Sequence, residues 1–247
     1  MSRIAVIIPA AGKSSRFGGD EKKPFVSLDG RPIWQRSAEL FWSRDDVSKV
    51  YLVIAPEDRE DFRSRFGHLI AFANIQVVDG GAERFESVAN ALAVIPDAVE
   101  YIAVHDAVRP LATVQLIDAV FAAALKHGAV MPAVPVADTL KRVDPSTTHI
   151  VETVNRADLW QAQTPQVFRR DWLMDAYAKR RAMSDPITDD AQLIAAIGHP
   201  VSVVRGAATN FKITTKEDME MAEALLKARV KKQTDRPNLG FNEEAKW

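Results

Sequence analysis

The chain has 247 residues, 47% of them apolar, enough for one large domain or two small ones with a sizeable core. Thirty-two basic against thirty-three acidic residues leave a formal net charge of −1, so no global field favours nucleic acid or an anionic membrane, and any polyanion needs a local cationic cluster. A sequence without cysteine has no disulfide, thiolate zinc site or cysteine nucleophile, and no apolar run approaches a membrane span, so a soluble cytoplasmic protein is expected.

The first six residues from Ile4 are apolar and rich in β-branching, and they stop at Pro9-Ala10-Ala11-Gly12. They predict a buried strand running into a loop of small residues, where backbone can approach a ligand closely. That loop then delivers Lys13, Arg16, Lys22 and Lys23 among three glycines, a combination of N–H groups and cations suited to a nucleotide triphosphate. Two familiar phosphate loops are excluded. A Walker A loop ending in Gly12-Lys13-Ser14 would need glycine where Ile7 stands, and no glycine follows Gly12 at the dinucleotide-binding spacing. A secretory signal from Arg3 also fails, because its apolar core is short and carries Pro9.

Further along, the spacing predicts a helix over Ile33–Trp42, with Pro32 suited to its first turn, and a strand over Val50–Ala55 closed by Pro56. A helix over Glu57–Phe66, a short strand over Ile75–Val78 ending at Asp79-Gly80-Gly81, and a helix over Ala82–Ile95 follow. Tyr101–Val104 reads as another buried strand, ending in His105-Asp106, and Val114–His127 as an amphipathic helix stopped by Gly128. Alternating elements, with strands apolar on both faces, predict an α/β fold: a mainly parallel, Rossmann-like sheet flanked by helices. Ligands then collect at the carboxyl ends of the strands, where Gly12 to Lys23, Gly80-Gly81 and Asp106 fall.

The pattern breaks after a strand over Ala129–Val136. Asp138 to Asp158 has Asp144-Pro145-Ser146 as a turn between two β-prone polar stretches, the signature of a protruding β-hairpin arm that exposes Val143, Ile150 and Val154. A two-stranded ribbon is barely stable alone, so the arm is expected to pack on a second subunit or, as the alternative, over its own domain. The chain returns through Gln161 to Phe168. Helices are expected over Trp172–Arg181 and after Thr188, strands over Val201–Arg205 and Phe211–Thr214, and a Thr214/Glu217 capping box opening a last helix to about Val230. One domain over 1–230 and a polar, mobile tail over 231–247 are the expected organisation.

The loop Pro9-Ala10-Ala11-Gly12-x(3)-Arg16-x(6)-Lys23 resembles the signature of the sugar-phosphate nucleotidyltransferases. Further motifs follow in order: Asp79-Gly80-Gly81-x-x-Arg84-x-x-Ser87-Val88, His105-Asp106-Ala107-Val108-Arg109-Pro110, Asp138-Thr139, Thr153-Val154-Asn155-Arg156, Gln163-Thr164-Pro165-Gln166-Val167-Phe168, Thr188-Asp189-Asp190-Ala191 and Asn210-Phe211-Lys212-Ile213-Thr214. In this order and spacing the chain is similar to the 2-C-methyl-D-erythritol 4-phosphate cytidylyltransferase family. It departs from that family at Lys22-Lys23-Pro24, where Pro-Lys-Gln is usual, and at Asn155, where aspartate is usual.

The resemblance implies condensation of CTP with methylerythritol phosphate, release of pyrophosphate, and Mg²⁺ as cofactor. It implies that Arg16 and Lys23 stabilise the transition state. Ala10, Ala11 and Gly12 would offer N–H groups to the triphosphate, Gly80, Gly81 and Ser87 would line the base and ribose pocket, and Ala107 would lie beside the nucleotide. Asp106 would bind Mg²⁺ and substrate. Arg109 and Thr139 would hold the methylerythritol moiety with Thr164 and Thr188 nearby, and Arg156 and Lys212 would grip its phosphate. Arg156, on the arm, would reach the partner's site in a homodimer. The residues alone leave blander readings open: Lys13, Lys22 and Arg84 as solvated cations, Asp106 as a turn cap, Thr188-Asp189-Asp190 as a helix start, His105 as structural, and Lys212 as an edge charge. A ribitol 5-phosphate cytidylyltransferase and a nucleotide sensor without catalysis are the rival functions.

Overall fold

The computed structural model describes residues 3–12, 22–180 and 187–234. The first expected strand is β1 (Ile4–Pro9), and a small ribbon of β2 (Ser27–Leu28) and β3 (Arg31–Pro32) leads into α1 (Ile33–Glu39). There follow β4 (Val47–Ile54), α2 (Arg59–Phe72), β5 (Ile75–Asp79), α3 (Arg84–Leu92), β6 (Tyr101–Val104), α4 (Val114–His127) and β7 (Ala129–Pro135). The second half holds β8 (Leu140–Val143), β9 (Ile150–Val154), β10 (Trp160–Ala162), β11 (Gln166–Arg169), α5 (Arg170–Lys179), α6 (Asp190–Ala196), β12 (Ser202–Arg205) and α7 (Lys216–Thr234).

Period-2 alternation in β1 explains the layers. Ile4, Val6 and Ile8 point into one core with Trp34 of α1, Phe41 just after it, Phe62 of α2 and Ile117 and Val120 of α4. Ala5 and Ile7 point into the other, with Val88 and Leu92 of α3, Leu173 of α5 and Ile194 of α6. Each fully buried isoleucine contributes about 1.5–3 kcal/mol, so a strand with two apolar faces belongs in the middle of the sheet. There β1 runs parallel to both β4 and β6, and β5 continues the parallel run beyond β4.

The expected mainly parallel α/β sheet is borne out, with one local difference. Strand β11 inserts antiparallel between β6 and β7, and β10 also joins β7 antiparallel. Val130 of β7 pairs with both Val167 and Ser202, so β12 lies on the opposite side of β7 from β11. Tertiary pairing decided this, because an apolar run reads alike in either direction.

Two other expectations are corrected. Phe211–Thr214 is not a strand: Ile213 N–H donates to the Val108 carbonyl at 2.9 Å, and its side chain is buried with Leu28, Ile33, Leu111 and Ala222 under α7. The cap of α7 sits one residue later than Thr214/Glu217. Thr215 Oγ1 accepts from Asp218 N at 3.1 Å, and Asp218 Oδ2 accepts from Thr215 N at 2.8 Å, because the helix begins at Lys216 and Asp218 is its third residue. Helix α7 continues four residues past Val230 to Thr234, and 235–247 lie outside the described residues.

The hairpin forms as expected. Among the described residues β8 and β9 pair only with each other, and Asp144 Oδ1 accepts from Ser146 N at 2.8 Å to set the turn. Val143, Ile150 and Val151 are exposed on it, whereas Val154 is half-buried.

Gly128 ends α4 with φ 84°, and a Cβ there would lie 2.7 Å from Trp172 Cη2. Gly128→Ala is expected to lower stability by about 1–3 kcal/mol through left-handed strain and overpacking, measured by urea denaturation.

Candidate active site

A cavity of about 570 Å³ opens at the carboxyl ends of β1, β4, β5 and β6. Its walls come from the loop after β1 (Ala10, Ala11, Gly12), the turn after β5 (Gly80, Gly81) with the start of α3 (Arg84, Ser87), and the loop after β6 (Asp106, Ala107), together with Lys23 and Lys212. Backbone contact draws two of these loops together. A Cβ on Gly80 would lie 2.5 Å from that of Ala11, so only glycine lets the loops touch. Gly81 N–H donates to Ser87 Oγ at 3.1 Å, and Ser87 Oγ donates to the Glu83 carbonyl at 3.2 Å, which ties the glycine turn to the start of α3. Ala10 N–H donates to the Val53 carbonyl at 2.7 Å as the last rung of the strand ladder, so Ala10 lines the cavity without offering its N–H as expected.

Asp106 is the electrostatic centre. It is buried, with Oδ2 3.2 Å from Lys212 Nζ and 3.3 Å from Arg109 Nε, and Oδ1 3.7 Å from Arg84 Nε. Burial pushes its pKa up, but Lys212, Arg84 and Arg109 together hold it well below the usual carboxylate range. The carboxylate therefore faces cations rather than capping the turn, and Lys212 is not an edge charge.

Arg84 is likewise no solvated surface cation. Its Nη2 lies 2.9 Å from Oδ2 of Asp190, which is buried, and Tyr177 Oη donates to Asp190 Oδ1 at 2.5 Å. Burial lowers the Arg84 pKa, yet the charges of Asp190 and Asp106 raise it overall. Lys22 instead spans Glu57 (3.0 Å) and Asp58 (2.7 Å) at the start of α2. Lys23 Nζ donates to the Thr214 carbonyl at 3.2 Å, linking the first loop to the Lys212 segment.

The structural reading of His105 is borne out. The ring is fully buried against Phe41, with centroids 5.0 Å apart. Nε2 lies 3.0 Å from the Arg109 carbonyl, an acceptor, so Nε2 carries the proton. Nδ1 then accepts from Thr164 Oγ1 at 3.1 Å, and Thr164 Oγ1 accepts from Asp106 N at 3.1 Å. Thr164 is consequently a buried link behind Asp106 rather than a wall of the cavity. Burial lowers the His105 pKa to about 4, against the opposing pull of Asp106.

The remaining expected residues are dispersed. Arg109 Nη1 donates to the Asn210 carbonyl at 2.8 Å. Thr139 and Arg156 are exposed on and beside the arm, outside the cavity. Thr188 is exposed and donates from N and Oγ1 to Gln192 Oε1, while Asp189 Oδ1 caps α6 by accepting from Gln192 N at 3.0 Å. Lys13 and Arg16 lie outside the described residues.

Sequence reasoning missed the residues that bind these segments together. Gln163 Nε2 donates to the Ala207 carbonyl (2.8 Å), Asn210 Nδ2 to the Thr164 carbonyl (2.9 Å) and Gln166 Nε2 to Asp189 Oδ2 (2.9 Å). The available signal was two glutamines flanking Thr164-Pro165 in a segment otherwise apolar enough to be buried.

A family profile described as 2-C-methyl-D-erythritol 4-phosphate cytidylyltransferase matches residues 4–228. The chain belongs to that family. It is 41% identical over 234 residues to the 2-C-methyl-D-erythritol 4-phosphate cytidylyltransferase of Rhodopirellula baltica, covering 90% of this chain and 94% of that one. It is 44% identical to the enzyme of the same name from Symbiobacterium thermophilum, covering 90% and 92%. The crystal structure of 4-diphosphocytidyl-2C-methyl-D-erythritol synthase from Anaerococcus prevotii superposes with a TM-score of 0.76 at 30% identity, covering 91% of this chain and 96% of that one. Every motif quoted from the sequence falls inside the span matched by the cytidylyltransferase family.

Two buried groups set the acid limit of the fold. His105 titrates at about 4 when folded and at 6.5 when free, so the unfolded chain binds the extra proton in between and stability falls as pH drops through that window. The loss is on the order of 3 kcal/mol, and His105→Gln should flatten it. Asp106, depressed on folding, adds a further loss as pH falls below its free value of 3.8. Urea unfolding measured from pH 7 to pH 4 checks the His105 sign, and its extension to about pH 2 checks that of Asp106.

Proposed function

We propose that the chain is a cytoplasmic enzyme that transfers a cytidylyl group from CTP to 2-C-methyl-D-erythritol 4-phosphate. The observation that carries the reading is the convergence of Arg84, Arg109 and Lys212 on Asp106 at the mouth of a cavity floored by small-residue loops. A phosphate monoester is largely dianionic at neutral pH, so an acceptor phosphate oxygen attacks the α-phosphorus without a general base. The new phosphorus–oxygen bond forms as the bond to the β-phosphate oxygen breaks, and pyrophosphate leaves. The protein supplies position and positive charge.

In this reading Ala11, Gly12, Gly80, Gly81, Ser87 and Ala107 seat the nucleotide. Lys23 and Arg16 neutralise charge developing on the phosphates, and Lys212, Arg109 and the arm residues Arg156 and Thr139 hold the acceptor. Among the described residues no three His, Asp or Glu side chains cluster to hold a metal alone, and Asp106 presents one hard carboxylate. That donor set fits a Mg²⁺ ion that takes its other ligands from phosphate oxygens and water. Asp106 would hold such an ion, which would supply charge neutralisation of the triphosphate.

A homodimer through the arm over 138–158 completes the site. Exposed Val143, Ile150 and Val151 need covering, and Arg156 lies outside the cavity of its own subunit, which supports its reaching the partner's. Residues 1–230 form one domain in this reading. Among the described residues no helix is long and apolar enough to cross a membrane.

Purified protein with Mg²⁺, CTP and either methylerythritol phosphate or ribitol 5-phosphate tests the reaction. Pyrophosphate release with the first acceptor is expected; release only with the second, or CTP binding without turnover, overturns the proposal. Lys23→Ala should cut kcat about a hundredfold, as loss of a transition-state donor does, and unchanged turnover removes Lys23 from the mechanism. Arg156→Ala should raise the acceptor KM and leave CTP affinity near wild type, measured by steady-state kinetics with each substrate varied in turn.

A further inference from the structure

Asp106 does not choose its own direction. Its two oxygens are divided between the halves of the site, with Oδ2 turned to Lys212 and Arg109 and Oδ1 turned to Arg84. The two cations on Oδ2 pull that oxygen toward the Lys212 segment and the turn after β6, and Arg84 holds the other oxygen toward the start of α3. Among the described residues Arg84 is the cation paired with Oδ1, and Arg84 in turn is fixed from behind.

Behind it stands an acid that the reaction proposed above does not use. Asp190, at the first turn of α6, is 1% exposed, and a carboxylate so far from water needs a counter-charge. Its Oδ2 forms an ion pair with Arg84 Nη2 at 2.9 Å, and its Oδ1 accepts a hydrogen bond from the Tyr177 hydroxyl of α5 at 2.5 Å. Burial, and then the Asp190 charge, push the Tyr177 pKa well up, so the phenol keeps its proton and remains a donor. A guanidinium is a planar fork able to serve two carboxylates at once, whereas an ammonium on a flexible stem is a single point charge. Arg84 is thus clamped between a buried anchor and the centre of the site, and three helices, α3, α5 and α6, bear on where it points.

We propose that Tyr177, Asp190 and Arg84 form a positioning relay that sets the orientation of the Asp106 carboxylate toward the nucleotide. Tyr177 and Asp190 touch no substrate in this arrangement; neither borders the cavity. They act through Arg84, and Arg84 through Asp106. The inference rests on the CTP-dependent reaction proposed above and extends the set of residues that serve it.

A double-mutant cycle on the full-length protein tests it, with Arg84→Lys, Tyr177→Phe and the pair. CTP Kd in Mg²⁺ is measured by calorimetry without acceptor, and kcat and KM by pyrophosphate release. Arg84→Lys should weaken CTP about tenfold and lower kcat, Tyr177→Phe should weaken it about threefold, and the pair should be no worse than Arg84→Lys alone. Additive losses overturn the relay. So does a Tyr177→Phe protein whose melting temperature falls while Kd and kcat, measured well below it, stay at wild-type values. Tyr177→Phe removes one hydroxyl and keeps the test decisive if Arg84→Lys fails to fold. Wild-type protein that binds CTP but releases no pyrophosphate with any acceptor sinks the reaction and not the relay, which the CTP Kd of Tyr177→Phe still reads.

Discussion

A buried carboxylate compensated by three cations is the constraint on which the rest of this molecule depends. Removing a carboxylate from water costs several kcal/mol, while a charge pair at about 4 Å returns roughly 4 kcal/mol at an effective dielectric near 20. One partner barely offsets the penalty, and several exceed it. Lys212 lies nearest, at 3.2 Å, and does most to hold Asp106 ionised, and the two arginines, with 31% and 12% of their side chains exposed, add to it. Each cation comes from a different segment: Arg84 from the start of α3, Arg109 from the turn after β6, and Lys212 from the loop before α7. The charge cluster is therefore complete only when those segments have docked.

The sheet makes that docking reproducible. Parallel strands β1, β4, β5 and β6 end on one rim, and their period-2 burial on both faces leaves little freedom of register. At the rim, Gly80 allows backbone to approach Ala11 where any side chain would intrude. The segment 163–166 binds the opposite side of the site. Gln163 reaches the loop after β12, Thr164 the backbone of Asp106 through its hydroxyl, and Gln166 the N-terminus of α6. Rigid walls of this kind suit chemistry that relies on placement rather than on a nucleophilic side chain.

The neutral His105 shows how a titratable residue can be structural beside a charged centre. Its two ring nitrogens are both taken by protein partners, and its burial keeps it uncharged at neutral pH. An imidazolium there would stand next to Arg109 and add to the cations around Asp106. Protonation is suppressed by the same low polarity that strengthens the ion pairs.

Much of this was legible in the amino-acid order. The strand at Ile4–Pro9, the helix at Val114–His127 stopped by Gly128, the arm with its Asp144 turn, and the candidate positions Gly80 and Asp106 follow from apolar period and turn chemistry, properties of neighbouring residues, while Lys212 entered through the family resemblance. Strand direction for β11, the non-strand path of Phe211–Thr214, the shift of the α7 cap to Thr215, and the conversion of Arg84 from a surface charge into a clamp were decided by tertiary structure. The physical reason is one of range. Hydrophobic alternation and capping act over a few residues and leave a trace in the sequence, whereas an ion pair between residues 84 and 190 exists only after the intervening hundred have been packed into a sheet and its helices.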